Sequence, residues 1–238
     1  MERSREKHIT TSNKGAALQT GKILVADDHP LFRMALKQAV EQAFPNAKVM
    51  EAESVDQLEK LTEKGDQFEL ILLDLNMPGA HGLSGLIYMR DRYRSIPLVV
   101  VSATEESNVI YKAMEYGANG FIPKSSSMDV MVEAIEQVSQ GGRWLPPNIL
   151  PQQDPLLNDQ DHDLARSIAS LTPQQFRVLG MLAEGQLNKQ IAYELGVSEA
   201  TIKAHMTAIF RKLGVRNRTQ AVIRLQNLDV GSIANKMH

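Results

Sequence analysis

Leu70-Ile71-Leu72-Leu73-Asp74-Leu75-Asn76-Met77-Pro78-Gly79 is an apolar run that ends on a carboxylate and breaks into a turn. Four consecutive large apolar residues without alternation suit a strand covered on both faces, as inner strands of parallel sheets are. Other runs have the same build. Residues 22–26 end in Asp27-Asp28, residues 98–102 end in Ser102, and a short run, Gly120-Phe121-Ile122, leads to Lys124. A second strand candidate lies at 48–52. Between the runs the spacing is helical: residues 31–44 stop before Pro45, a polar stretch continues to about 64, and Met128, Met131, Val132, Ile135 and Val138 recur until Gly141-Gly142. Strands alternating with helices predict an α/β domain, a parallel sheet with helices on both faces.

In open parallel sheets ligands bind beyond the carboxyl ends of the strands, where the strand order reverses. Asp27, Asp28, Asp74, Ser102 and Lys124 all fall at such ends, and they converge if the order is 2-1-3-4-5. Clustered carboxylates repel unless a hard cation neutralises them, and Mg²⁺ takes a few carboxylates with water and phosphate oxygens. A carboxylate nucleophile, a cation, a lysine and a hydroxyl are sufficient to make an aspartyl phosphate. Taken singly, each of these residues also reads as a solvated loop edge, and Phe121 also reads as a core aromatic. His29 has no partner at ligand spacing, so packing or solvent exposure is the expectation for it. His81 is expected in a loop, and Gly79 supplies the freedom of the turn after Asp74.

The 238-residue chain contains no cysteine, which excludes disulfides, thiolate zinc sites and cysteine nucleophiles. No apolar run approaches the length that spans a bilayer, and residues 1–20 lack the apolar core of a signal peptide, so the cytoplasm and no membrane association are expected. The net charge of −2 is unevenly spread. Residues 22–145 carry 12 Lys and Arg against 18 Asp and Glu, whereas residues 171–238 carry 9 against 4. An acidic half beside a basic half suggests that only the second meets nucleic acid, although ordinary surface variation also gives such an asymmetry.

Residues 145–170 hold four prolines and an acidic stretch, and read as a linker with a short helix at 164–170. The expected divisions are a disordered tail over 1–20, an α/β domain over 21–144, the linker, and a helical domain over 171–238. The helical domain opens on Thr172-Pro-Gln-Gln175, a capping box with proline at the first helical position. A short helix from Lys189 stops at Gly196, and Ser198 caps a longer one through Leu213. Ile202, Met206, Ile209 and Leu213 make its buried stripe; Lys203, Thr207 and Arg211 lie on another face, with Lys189, Lys212, Arg216 and Arg218 around it. Two short helices joined at a glycine have the form of a helix-turn-helix, whose second helix enters the major groove while nearby cations meet phosphates.

Two longer patterns extend this reading. Lys22-Ile-Leu-Val-Ala-Asp-Asp-His-Pro30, Leu72-Leu-Asp-Leu-Asn-Met-Pro-Gly79, Val99-Val-Val-Ser-Ala-Thr104 and Gly117-Ala-Asn-Gly-Phe-Ile-Pro-Lys124 resemble the receiver domain of two-component response regulators, in the manner of the NarL/FixJ subfamily. The resemblance implies a flavodoxin-like, doubly wound, five-stranded parallel sheet. It implies Asp74 as phosphoacceptor, Mg²⁺ held by Asp28, Asp74 and the backbone carbonyl of Asn76, and Asp27 acting through water. Ser102 and Lys124 would meet the phosphoryl group, and Ser102 and Phe121 would switch with it; Ala103 would leave room for the donor, and Asn76 and Thr104 would tune the phosphate's lifetime. Leu171-Thr-Pro, Gly185-x-x-Asn188-Lys189-x-Ile191-Ala192, Thr201-Ile-Lys-x-His205 and Leu213-Gly-Val resemble the LuxR-type DNA-binding domain. That implies base reading by Lys203, Ala204 and Thr207, with Arg211 on the same face and Lys189 on a phosphate. Gln175 departs from the Glu usual in the family; it still completes a capping box, without the ion pair.

Together these predict a regulator, not an enzyme: a sensor histidine kinase phosphorylates Asp74, and the chain then regulates transcription on double-stranded DNA. A homodimer on activation is expected and RNA polymerase is a further candidate partner. Either a masked DNA-binding helix is released or two receivers pair, with the helices near 109–116 and 128–140 as movers. A phosphatase or phosphotransferase using Asp74 needs a proton donor two residues on, where Asn76 stands instead. A regulator that works without phosphate leaves the acidic pocket unexplained.

Overall fold

The structure, a computed structural model, describes residues 21–63, 67–150 and 156–229. The expectations for the tail 1–20 and for the helix end at Lys64 lie outside the described residues. Five strands, β1 (Lys22–Ala26), β2 (Lys48–Ala52), β3 (Phe68–Asp74), β4 (Leu98–Ser102) and β5 (Gly120–Pro123), form one parallel sheet in the order β2-β1-β3-β4-β5. The order reverses between β1 and β3. The register sets Ala26 beside Leu73, Asp74 beside Val101 and Ser102 beside Pro123, so the polar residues that end or follow these strands emerge at one edge.

The continuous apolar runs are explained by what covers them. On β3, Leu70 and Leu72 face a core shared with α1 (Pro30–Ala43) and α5 (Met128–Ser139), which lie side by side. Ile71 and Leu73 face the opposite core, under α2 (Val55–Glu63), α3 (Leu83–Arg92) and α4 (Ser107–Glu115). Every side chain from Leu70 to Leu73 is therefore at most 1% exposed, and burying each stabilises the fold by roughly 1.5–3 kcal/mol.

Five further helices follow: α6 (Asp159–Ala169), α7 (Pro173–Ala183), α8 (Asn188–Leu195), α9 (Glu199–Leu213) and α10 (Arg218–Asp229). The Thr172 capping box and the Ser198 cap are formed as the sequence predicts. Gly196 and Gly214 end α8 and α9 in the left-handed conformation, with φ of 66° and 64°. In the stripe on α9, Ile202, Ile209 and Leu213 are buried and Met206 is partly so.

The linker differs from its reading. Its helix, α6, begins at Asp159, five residues before the expected 164, because Asn158 and Asp161 form a capping box that proline counting overlooks. Its stripe, Leu164 and Ile168, is buried. The segment before it is tied to α4: Tyr111 Oη donates to the carbonyl of Leu150 (2.6 Å), and the Glu115 carboxylate accepts from the amides of Leu156 and Leu157 (2.7 and 2.9 Å).

The core on the α2–α4 face runs on into the helical domain without a break. Tyr88 of α3 stacks on Phe176 of α7, ring centroids 3.9 Å apart and 12° from parallel, and the Arg92 guanidinium lies 3.5 Å over the Tyr88 ring. Such pairs contribute about 0.5–1.5 kcal/mol beyond the area they bury.

Candidate functional site

The acidic crevice is built from three strand ends. Asp27 remains in the ladder, its amide donating to the carbonyl of Ala52 (3.0 Å), and it is fully buried. Its own carbonyl accepts from Arg33 Nη1 (2.8 Å), while the rest of that guanidinium pairs with Glu51 and Glu53 of the neighbouring strand end at 3.1 and 2.6 Å. Arg33, one turn into α1, thus fixes the height of the two aspartates. Asp74, 1% exposed, accepts the Asn76 amide at Oδ1 (3.2 Å) and the Lys124 ammonium at Oδ2 (2.9 Å). Lys124 is carried over from β5, its amide bonded to the carbonyl of Ser102 (2.7 Å), and its Nζ also lies 2.7 Å from Asp27 Oδ2. Burial pulls the Lys124 pKa down, but hydrogen bonds and charge from Asp27 and Asp74 outweigh it, and the pKa is raised.

The structure brings Asp27, Asp28, Asp74, Ser102 and Lys124 to one edge, as the strand ends predict. Ser102 is fully buried and its Oγ accepts the Thr104 amide (3.2 Å). Phe121 is fully buried in the core of the α2–α4 face. His29 is exposed, as one of its two expectations had it, but it is not remote from the acids: Nδ1 lies 2.7 Å from Asp28 Oδ1 and 3.9 Å from Asp74 Oδ2, because the turn into Pro30, held by the His29 amide on Asp27 Oδ1 (2.8 Å), carries the imidazole back over them. A cavity of about 470 Å³ opens above, lined by His29, Leu31, Phe32, Asp74, Asn76, Ala103 and Lys124.

These residues suit a hard cation. Ligand atoms of Asp27, Asp28, His29 and Asp74 lie within 4.8 Å of one another. Asp27 Oδ2 and Asp28 Oδ1 are shut off from solvent without a well-formed hydrogen bond, although each has a charged or ionisable neighbour at 2.7 Å. One lysine does not neutralise three carboxylates, and Mg²⁺ prefers such oxygen donors.

A second surface lies on the helical domain. Lys203, Ala204, Thr207 and Arg211 along α9 are exposed, as is Lys189 on α8. Among the described residues, none covers that face of α9. Two of the surrounding cations are committed elsewhere: Lys212 donates to the Ser170 carbonyl and Gln175 Oε1 (2.6 and 2.8 Å), and Arg218 to the Gln186 and Leu182 carbonyls near the end of α7 (2.7 and 2.8 Å). Helix C-terminal carbonyls attract cations, so basic residues near them serve the fold.

Residues 23–136 match the response regulator receiver domain, and residues 169–225 match the LuxR family of bacterial regulatory proteins. A glycerol metabolism activator of Pseudomonas putida is 46% identical over 212 residues, 87% of this chain and 96% of that protein. The chain belongs to the NarL-type response regulators. The nitrate/nitrite response regulator NarL of Escherichia coli K12 is 32% identical, the alignment spanning 84% of this chain and 93% of NarL. Among solved structures, RcsB of Salmonella enterica serovar Typhimurium, bound to a promoter in the presence of the phosphomimetic BeF₃⁻, shares the fold at 22% identity and a TM-score of 0.51, covering 87% of this chain and 98% of that one.

This response regulator is a phosphorylated transcription regulator that binds DNA, and not an enzyme. Sequence reading missed Arg33, the placement of His29, and Phe32, whose ring lies 4.8 Å from Lys124 Nζ. Arg33 and Phe32 sit within the spacing of α1, and only the folded turn separates their roles from core packing. No helix among the described residues is long and apolar enough to cross a membrane.

Proposed function

We propose that Asp74 is the phosphoacceptor of this regulator and that Mg²⁺ is its resident cation, held by Asp28, Asp74 and the Asn76 carbonyl, with Asp27 acting through water. One observation carries the reading: Asp74 Oδ2 meets Lys124 Nζ at 2.9 Å at the floor of a cavity of about 470 Å³. A carboxylate oxygen of Asp74 forms the new O–P bond while the bond from phosphorus to the donor breaks, its electron pair leaving with the donor. The bound cation supplies neutralising charge to the acids and the equatorial phosphoryl oxygens. Lys124 exchanges its carboxylate contact for a phosphoryl oxygen, Ser102 Oγ donates to another, and Phe121 follows Ser102. Leu31 and Met34, 83% and 67% exposed one turn apart on α1, give the rim of the cavity an apolar face for a sensor histidine kinase.

On DNA, Lys203, Ala204 and Thr207 read bases, while Lys189 and Arg211 hold the backbone. Residues 21–144 act as the receiver, 145–170 as the connection and 171–238 as the DNA-binding unit, in the cytoplasm. A phosphorylated homodimer engages paired half-sites and RNA polymerase; the Pseudomonas relative, named as an activator, makes activation the direction to test first. Asp74→Asn abolishes Mg²⁺-dependent labelling by acetyl phosphate; undiminished labelling of that variant rules Asp74 out.

A further inference from the structure

The outer face of α9 is chemically narrow. From Lys203 to Arg211 the exposed residues are Lys203, Ala204, Thr207 and Arg211. At 3.6 residues per turn these four fall within about 100° of the helix circumference, opposite the buried Ile202, Ile209 and Leu213. What they can say to a partner is limited. Lys203 and Arg211 only donate hydrogen bonds, and Ala204 offers a methyl group. Thr207 carries a hydroxyl, but that hydroxyl donates to the carbonyl of Lys203, one turn back, at 2.9 Å. Its single proton is therefore spent on its own helix. The bond also selects one rotamer of a side chain that branching at Cβ already makes stiff.

The major groove offers three kinds of group to such a face: ring and carbonyl acceptors, the amino donors of adenine and cytosine, and the C5-methyl of thymine. Lys203, a donor only, suits the O6 and N7 acceptors of guanine. Thr207 has no proton left for an acceptor. Its oxygen is drawn back against the helix backbone, and the methyl is the other branch of the same carbon. Ala204, three residues earlier, is its neighbour on the helix surface and adds a second methyl. Two adjacent methyls make a small apolar patch beside the Lys203 ammonium, and the apolar group that the groove presents is the methyl of thymine.

We infer that Thr207 reads thymine through its methyl group and not through its hydroxyl, so that each half-site bound by this regulator carries a thymine whose C5-methyl packs on Thr207. The inference rests on α9 being the helix that reads bases. It makes Thr207 a specificity-determining residue of a different kind from Lys203: one recognises an acceptor by a charged donor, the other recognises the presence of a single carbon.

The test takes the full chain, with acetyl phosphate and Mg²⁺, and selects its preferred duplex from a library of randomised double-stranded DNA. That duplex is remade with deoxyuridine in place of one thymidine at a time, which removes the C5-methyl and leaves every hydrogen-bonding atom of the base in place. At one thymine per half-site the substitution should lower affinity about fourfold, the equivalent of about 0.8 kcal/mol for one buried carbon. At that position Thr207→Ser, which keeps the hydroxyl and loses the methyl, should abolish the penalty. Thr207→Val, which keeps a methyl and loses the hydroxyl, should restore it; helical circular dichroism shows that both variants fold. A penalty that survives in Thr207→Ser and disappears in Thr207→Val assigns the reading to the hydroxyl and overturns the inference. Penalties equal in all three chains belong to DNA shape and overturn it too. If no sequence is selected, or if Lys203→Ala leaves the preference intact, the placement of α9 on the bases falls, and the methyl reading with it. A preference that Lys203→Ala weakens, with no thymine whose penalty depends on residue 207, removes the methyl reading alone.

Discussion

Lys124 shows how much of the crevice depends on one charge. Its side chain is 14% exposed and faces both Asp27 and Asp74. Replacing it by methionine leaves those acids together in a poorly solvated place, and breaking a buried pair costs about 3–5 kcal/mol. Lys124→Met should lower stability in denaturant titrations by about the lower figure, and Mg²⁺ should recover part of the loss. The pH dependence follows from the raised pKa of Lys124. A lysine raised on folding stabilises fully below its unfolded value, about 10.4, and loses that contribution as pH rises through the folded value. The gap between wild type and variant should thus be flat over about pH 6 to 9 and close only above about 10.4. Asp27, Asp28, Asp74, Ser102 and Lys124 were legible in the sequence because each punctuates an apolar run. Arg33 and His29 were not, since a cation at helical spacing and a histidine before a proline acquire their partners only when β2 and the β1–α1 turn come together.

Helices α4 and α9 divide the labour between restraint and recognition. Lys203 and Lys189 are exposed on α9 and α8 and differ in what they are proposed to touch. Lys203→Ala should cost about 1–3 kcal/mol at specific sites and relax base preference, while Lys189→Ala should weaken all DNA alike and reduce the salt slope by about 1. Binding isotherms at several salt concentrations separate the two. On α4, Tyr111, Lys112 and Glu115 each reach beyond the receiver. Lys112 is 1% exposed, and its ammonium donates to the carbonyls of Leu228 (3.0 Å) and Asn227 (3.4 Å) at the end of α10. Hydrogen bonds from charged groups are worth about 1.5–3 kcal/mol, so Lys112→Met should speed amide exchange through the last turns of α10 by a comparable free energy, leaving α1 and α5 unchanged. The expectation that α4 is a mover was a family inference. Its periodicity alone predicts an amphipathic helix, and nothing in it tells that Lys112 is buried by a helix more than a hundred residues away.

At the scale of the whole molecule, the strands, the helical layers and both modules could be read from periodicity and the sheet order followed from the family resemblance, whereas their docking could be read from neither. Phe176 and Tyr88 each lie on an apolar stripe that its own module explains, so neither announces a partner in the other. Phe176→Ala should destabilise the full chain by about 3–5 kcal/mol, read from denaturant midpoints. The continuity of that core has a thermal corollary. Two modules that share buried aromatic surface melt as one body, so the unphosphorylated chain should give a single calorimetric peak whose van't Hoff and calorimetric enthalpies agree. If phosphate on Asp74 parts the modules, the peak should split, with the small helical module melting first because it buries the smaller share of its surface alone. The signalling state of this protein should then be readable from the shape of a heat-capacity curve, with neither DNA nor kinase in the cell.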